Sequence, residues 1–171
     1  MEVPRRFAPF ELPGLPLCHL NVTGVLAATL GAPLVRPLFL SRASCGFPSP
    51  AEDYVETALD LARHVVTNEP ATFYVRVEGD SMTGAGIDDG DLLVVDRSLE
   101  AVDRDVIIAL VDGEFTVKRL RRSRSGRVVL VPENDSYASI EITEGREFEV
   151  WGVVTFTLKA HRRGANPAAR G

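Results

Sequence analysis

The chain has 171 residues, of which 45% are hydrophobic and 25% charged, and its formal net charge at pH 7 is −5. This length suits one ordinary domain with an additional segment, and the composition is too apolar for a chain that is disordered throughout. The acidic balance argues against a protein that grips nucleic acid over its whole surface. Two cysteines, Cys18 and Cys45, are too few for a disulfide framework and suit a reducing cytoplasm.

Residues 1–45 form the first predicted segment, an arm with little periodicity. The stretch from Leu12 to Leu40 is rich in apolar residues, but it is interrupted by Pro13, Pro16, Pro33, Arg36 and Pro37. No uninterrupted apolar run approaches the roughly 20 residues that a membrane-spanning helix needs. The sequence therefore predicts a flexible, proline-punctuated arm and no membrane anchor.

One amphipathic helix is predicted after the arm. Ser49 can cap it, Pro50 suits the first helical position, and Glu52 completes an S-x-x-E capping box. Apolar residues then recur at helical spacing, at Val55, Leu59, Ala62 and Val66. The helix should end before Pro70, because a proline disfavours helical backbone at the preceding residue.

From residue 73 onward the pattern changes to short β-strands separated by turn residues. The predicted strands cover residues 73–77, 91–95, 106–111, 115–120, 128–131, 140–142 and 148–158. Asp112-Gly113 is a favourable two-residue hairpin turn between two of them. Closely spaced turn signals without a βαβ unit predict a compact, mostly β fold of short antiparallel strands.

Most of the usual catalytic motifs are absent from the sequence. The histidines, His19, His64 and His161, lack the spacing of a zinc site, and no nucleotide-binding glycine motif occurs. No metal or cofactor is therefore expected. Ser81 is a candidate nucleophile because it follows a predicted strand and enters a glycine-containing loop, where backbone amides can stabilise an oxyanion. A serine in such a loop can equally be an ordinary turn residue.

Lys118, in the middle of a predicted strand, is the candidate base. A serine hydroxyl needs a nearby base, and a lysine can act as one only where burial lowers its pKa. Strand alternation leaves both a buried and an exposed lysine open, because Lys118 shares one face with Leu120 while Phe115 and Val117 share the other. The basic stretch 118–124 is interpreted as solvated charge on a strand and loop.

Four motifs stand in order along the chain, and they include both candidates. They are Cys45-Gly46-Phe47-Pro48, Glu78-Gly79-Asp80-Ser81-Met82, Asp112-Gly113-Glu114-Phe115-Thr116-Val117-Lys118-Arg119-Leu120 and Trp151-Gly152-Val153-Val154. With the stretch 87–96 and the 37-residue spacing of serine and lysine, they resemble the LexA/UmuD family of self-cleaving serine–lysine peptidases (S24 type). The resemblance covers about residues 44–160, and the Cys-Gly motif resembles the UmuD-like members in particular.

The resemblance implies a role for each site residue. Ser81 would be the nucleophile and Lys118 the general base. Cys45 and Gly46 would form the bond that is cut, and backbone N–H groups at Asp80 and Ser81 would form the oxyanion hole. The side chain of Asp80 would matter little in that role.

The resemblance also implies how the chain is divided and which partners it has. Residues 1–45 would be an arm removed by self-cleavage, 46–162 the peptidase domain, and 163–171 a disordered tail. The protein would be a cytoplasmic homodimer of the SOS response, cleaved with the help of the RecA filament on single-stranded DNA. Its shortened form would join a UmuC-like Y-family DNA polymerase in error-prone translesion synthesis. Neither membrane association nor strong direct nucleic-acid binding is expected.

Three alternatives remain. A LexA-like or phage-like self-cleaving repressor would need a helix-turn-helix before the cleavage site, and the proline-broken arm is too short for one. A signal peptidase also uses serine with lysine, but it needs a membrane anchor. A degenerate relative could bind a polymerase without cutting, although Ser81, Lys118 and the Cys45–Gly46 pair are all present.

Overall fold

The computed structural model describes residues 21–39 and 55–161. In that part the chain forms ten β-strands and one short α-helix, α1 (Leu61–Val65). The strands are β1 (Asn21–Ala27), β2 (Val35–Phe39), β3 (Val55–Asp60), β4 (Thr72–Glu78), β5 (Leu92–Asp96), β6 (Val106–Val111), β7 (Glu114–Arg122), β8 (Val128–Val131), β9 (Ile140–Ile142) and β10 (Phe148–Leu158).

Eight of these strands form one sheet, in the order β1-β4-β5-β10-β6-β7-β8-β9, and β2 pairs with β3 separately. Every pairing between described strands is antiparallel. The β6–β7 hairpin turns at Asp112 and Gly113, whose φ angles of 50° and 85° are the left-handed pair that a two-residue hairpin loop favours. All seven strands predicted from residue 73 onward are present, and the mostly β, antiparallel fold class is confirmed.

The large sheet buries apolar side chains on both of its faces. The first core comprises Val75, Val77, Met82, Ile87, Leu93, Val95, Ile108 and Val117. The second core comprises Ala101, Ile107, Ala109, Val111, Leu120, Leu130 and Val153. Because successive side chains of a strand point to opposite faces, β6 sends Ile108 into the first core and Ile107 and Ala109 into the second. The central strands are therefore held from both sides.

The arm is more regular than its sequence predicts. β1 pairs with β4 along its length, and the N–H of Ala28 donates to the carbonyl of Thr72 at 2.9 Å. β2 includes Pro37, which lies opposite Ala58 of β3 in a sheet of only two strands. Proline is tolerated there because both strands are edge strands. The backbone partners of β1 come from a strand about 50 residues away, which local periodicity does not reveal.

The predicted amphipathic helix is largely wrong where the structure describes it. Residues 55–60 form β3, and helix is limited to the five residues of α1, which ends before Pro70 as predicted. Pairing with β2 gives residues 55–60 interstrand hydrogen bonds that outweigh their helical spacing, and Asp60 then caps α1 by accepting from the N–H of Arg63 at 3.3 Å. The predicted helix start at Ser49–Glu52 lies outside the described residues. No helix in the described part of the chain is long and apolar enough to cross a membrane.

Candidate active site

Ser81 lies near the start of the loop that follows β4, and it is fully buried. The neighbouring Met82 is also fully buried and packs in the first core. The carbonyl of Met82 accepts hydrogen bonds from the N–H groups of Ala85 at 2.9 Å and Ile87 at 3.2 Å. Apolar packing of Met82 therefore anchors the loop and sets the depth at which the serine hydroxyl lies.

A close backbone approach holds the far side of this loop. The N–H of Gly84 donates to the carbonyl of Glu133 at 2.7 Å, and a Cβ on Gly84 would lie 2.5 Å from that same oxygen. Only glycine fits at this distance. The carboxylate of Glu133 in turn forms an ion pair with Arg119, the neighbour of Lys118 on β7. The serine loop and the lysine strand are thus joined through one residue.

Lys118 points inward from β7 and is 3% exposed. Its Nζ lies 3.0 Å from the Oγ of Ser81 and donates to the Oγ1 of Thr116 at 2.9 Å and the carbonyl of Val117 at 3.0 Å. Thr116 precedes Lys118 by two positions and therefore shares its strand face. These three oxygen atoms, all from described residues, hold the amine beside the serine hydroxyl.

Burial lowers the pKa of Lys118 from 10.5 to about 8, because desolvation penalises the charged ammonium. At pH 7 about one tenth of such lysines are neutral and carry a lone pair that can accept a proton. Strand alternation left the burial of this residue open, and the structure places it inside. The hydrogen bond to Ser81 then has the geometry needed for proton transfer from the hydroxyl to the neutral amine.

A segment between β8 and β9, residues 133–137, holds the backbone on both sides of Ser81; we call it the clamp segment. The N–H of Glu133 donates to the carbonyl of Ser81 at 2.8 Å, and the Nδ2 of Asn134 donates to the carbonyl of Asp80 at 3.1 Å. The hydroxyl of Tyr137 donates to the carboxylate of Asp80, and this hydrogen bond is the main cause that raises the pKa of Tyr137. The backbone carrying the predicted oxyanion donors is therefore fixed by a distant part of the chain.

The structure brings Ser81, Lys118 and the backbone of Asp80 together. Cys45 and Gly46 lie outside the described residues, in the stretch between β2 and β3. His64 is exposed on α1, with its ring 6.0 Å from that of Phe156. In residues 21–39 and 55–161 no three His, Cys, Asp or Glu side chains are grouped as metal ligands would be.

Sequence reasoning missed the polar residues that support the pair. Thr116 could have been found, because a hydroxyl two positions before a buried lysine lies on the same strand face. Glu133, Asn134 and Tyr137 lie about 50 residues after Ser81, and no local pattern links them to it.

A buried serine hydroxyl hydrogen-bonded to a buried lysine of lowered pKa, carried on a compact antiparallel β fold, defines a peptidase of the serine–lysine class. The Peptidase S24-like family model matches residues 37–155 of the chain. SamA of Salmonella typhimurium is 45% identical over 119 residues, covering 70% of this chain and 81% of that protein. ImpA of Escherichia coli is 44% identical over 128 residues, covering 75% and 86%. The LexA repressor of Paracidovorax citrulli is 36% identical over 141 residues, covering 82% and 59%.

The chain belongs to the Peptidase S24-like family, the self-cleaving serine peptidases of the LexA/UmuD type, and within it to the UmuD-like proteins of SOS mutagenesis. The resemblance stated from the motifs is confirmed. The family match spans most of the described strands and the loop that carries Ser81.

Proposed function

We propose that this protein cuts its own chain between Cys45 and Gly46, with Ser81 as the nucleophile and Lys118 as the general base. The observation that carries the proposal is the 3.0 Å contact between the Lys118 amine and the Ser81 hydroxyl, inside a site where both side chains are buried. Burial provides a neutral amine at a pH where an exposed lysine is almost fully charged.

The reaction proceeds in two halves. Neutral Lys118 takes the proton of Ser81 as its oxygen attacks the carbonyl carbon of Cys45, and backbone N–H groups at Asp80 and Ser81 stabilise the oxyanion. When the C–N bond breaks, protonated Lys118 gives a proton to the amine of Gly46. Lys118 then takes a proton from water, whose oxygen attacks the ester between Ser81 and Cys45. As the bond from the carbonyl carbon to the Ser81 oxygen breaks, Lys118 returns that proton to the serine oxygen.

The position of the cleavage pair in the chain supports self-cleavage. Cys45 and Gly46 lie between β2 and β3, whose residues Phe39 and Val55 are paired across the small sheet. In the proposed self-cleavage the substrate is part of the same chain, and tethering raises its effective concentration at the site. Weak substrate binding is sufficient under these conditions.

The resemblance to UmuD-like proteins supports a proposed regulatory role. We propose that residues 1–45 are removed from a peptidase domain of residues 46–162, and that 163–171 is a tail outside that domain. The RecA filament on single-stranded DNA stimulates the cut. The shortened protein then works as a cytoplasmic homodimer with a UmuC-like Y-family polymerase. Co-purification of this polymerase with the cleaved form, but not with the uncut one, tests that last step.

Intact-mass spectrometry tests the cleavage itself. Purified protein is incubated at about pH 10, where the lysine amine is neutral, and at neutral pH with activated RecA filament. The expected product begins at Gly46 and is absent from Ser81→Ala and Lys118→Ala. The matched control is Ser139→Ala, which removes an exposed hydroxyl that makes none of the hydrogen bonds described above and should cleave normally. A folded wild-type chain that stays uncut under both conditions would refute the enzymatic proposal.

A further inference from the structure

The orientation of one peptide group decides where the N–H of Ser81 points. In a trans peptide the carbonyl of one residue and the N–H of the next lie in one plane and point in opposite directions. A hydrogen bond that fixes the carbonyl of Asp80 therefore also fixes the N–H of Ser81. That N–H is one of the two donors of the oxyanion hole proposed above, and such donors act only when held in place before the reaction.

Within residues 21–39 and 55–161, two groups donate to the carbonyl of Asp80, and one of these comes from outside the loop. The N–H of Thr83 lies at 3.3 Å and belongs to the same turn, so it moves with the peptide it would hold. The Nδ2 of Asn134 lies at 3.1 Å and comes from the clamp segment, 54 residues away in the sequence. Asn134 is therefore the donor outside the loop that can fix the orientation of this peptide plane.

The amide of Asn134 is itself oriented. Its Oδ1 accepts from the N–H of Ser136 at 3.0 Å, so its Nδ2 must face the other way, toward Asp80. The clamp segment is also tied to the next peptide, because the N–H of Glu133 donates to the carbonyl of Ser81 at 2.8 Å. Both peptide planes that flank the nucleophile are thus held by residues 133 and 134.

We propose that Asn134 is a positioning residue that orients the N–H of Ser81 toward the oxyanion, acting through the carbonyl of Asp80. The inference rests on the proposed self-cleavage and deepens it. Asn134 does not touch the reacting atoms, and it does not contact Lys118. Its loss should lower the rate of the chemical step without changing the pH at which the base loses its proton.

A single-atom substitution gives the sharpest test. Asn134→Asp keeps the oxygen that accepts from Ser136 but replaces the donor to Asp80 by a second oxygen. Asn134→Ala removes both contacts. The matched control is Asp135→Ala, which removes an exposed neighbouring side chain that takes part in none of these hydrogen bonds. Self-cleavage of the full chain is followed by intact mass between pH 7 and 10.5, and thermal unfolding is measured in the Ser81→Ala background.

We expect both Asn134 variants to lower the limiting rate at high pH by on the order of tenfold or more, less than the loss of a whole oxyanion donor. Asn134→Ala should keep the wild-type midpoint of the pH profile, and Asp135→Ala should match the wild type throughout. Wild-type cleavage by Asn134→Asp would overturn the inference, because the turn at Ser136 alone would then be sufficient. A shifted midpoint in Asn134→Ala with an unchanged limiting rate would also overturn it. A wild-type chain that does not cleave refutes the proposed function instead, and is recognised before any variant is compared.

Discussion

Replacing Lys118 by methionine, in a chain that also carries Ser81→Ala to prevent cleavage, is expected to stabilise the folded protein at neutral pH. Burial lowers the pKa of Lys118 from 10.5 to about 8. At pH 7 the lysine is mostly charged both when folded and when unfolded, but the lowered pKa means that the folded state holds its proton less tightly. The difference between these two pKa values corresponds to about 3 kcal/mol of folding free energy.

Part of the stabilisation that comes from removing the buried ammonium is offset. The methionine loses the hydrogen bonds from Nζ to Thr116 and to the carbonyl of Val117, at about 1 kcal/mol each. A net stabilisation of about 1–2 kcal/mol at pH 7 is therefore expected. The lost hydrogen bonds contribute similarly at every pH. The pH dependence of the difference in unfolding free energy between the methionine variant and its parent therefore reports the cost of burying the charged amine.

The sign of the pH dependence of stability follows from the direction of the pKa shift of Lys118. Between about pH 8 and 10.5 the unfolded chain binds more protons at Lys118 than the folded one, so the stability contributed by this residue rises with pH. The advantage of the methionine variant should therefore shrink by about 2 kcal/mol from pH 7 to pH 9.5.

Urea unfolding followed by the fluorescence of Trp151, the only tryptophan, measures this difference at both pH values. Lys159→Met is the matched control of opposite sign. Hydrogen bonds to Asp88 and Asp91 raise the pKa of Lys159, so its loss should destabilise the protein, with no change between pH 7 and 9.5. A Lys118→Met advantage that is absent at pH 7, or constant with pH, would refute the argument that the charged amine is desolvated.

The remaining predictions concern rate and loop geometry. The cleavage rate should rise about tenfold between pH 6 and 7 and level off above about pH 8, as Lys118 loses its proton, whereas a flat profile would contradict a lysine base. Thr116→Val removes one of the acceptors around the Lys118 amine and should slow limiting cleavage at pH 10 by on the order of tenfold, with a stability change within about 1 kcal/mol; an unchanged rate would show that this hydrogen bond is dispensable. Gly84→Ala forces its Cβ against the carbonyl of Glu133 and should cost about 1–3 kcal/mol in urea unfolding. Gly31→Ala, which meets open space, should stay within about 0.5 kcal/mol, and equal costs for the two glycines would rule out the close contact as the cause.

The part of the fold that could be predicted from sequence is the part that local rules control. Alternation of side chains and turn residues located all seven strands from residue 73 onward, and Asp112-Gly113 marked the hairpin that carries Lys118. The helical spacing from Val55 to Val66 wrongly predicted a helix, because residues 55–60 pair with β2. A local pattern contains no information about a distant strand.

The candidate site also has a part that the sequence predicts and a part that depends on tertiary packing. Local context nominated Ser81 and Lys118, and the resemblance of the ordered motifs paired them across 37 positions. Whether the lysine was buried or exposed could not be read from a strand with apolar residues on both faces. Burial was decided by tertiary packing, which sets β7 between its neighbours and leaves Lys118 3% exposed.

By itself, then, the sequence determined the β class and the strands after residue 73, and it nominated Ser81 and Lys118 as the candidate pair. Only the tertiary structure decided the lowered pKa of Lys118 and the attachment of the clamp segment to Asp80 and Ser81. The physical reason is the distance along the sequence over which each effect acts. Strand and turn preferences act within a few residues, whereas desolvation and the orientation of a peptide plane depend on groups that the fold brings together from far apart in the chain.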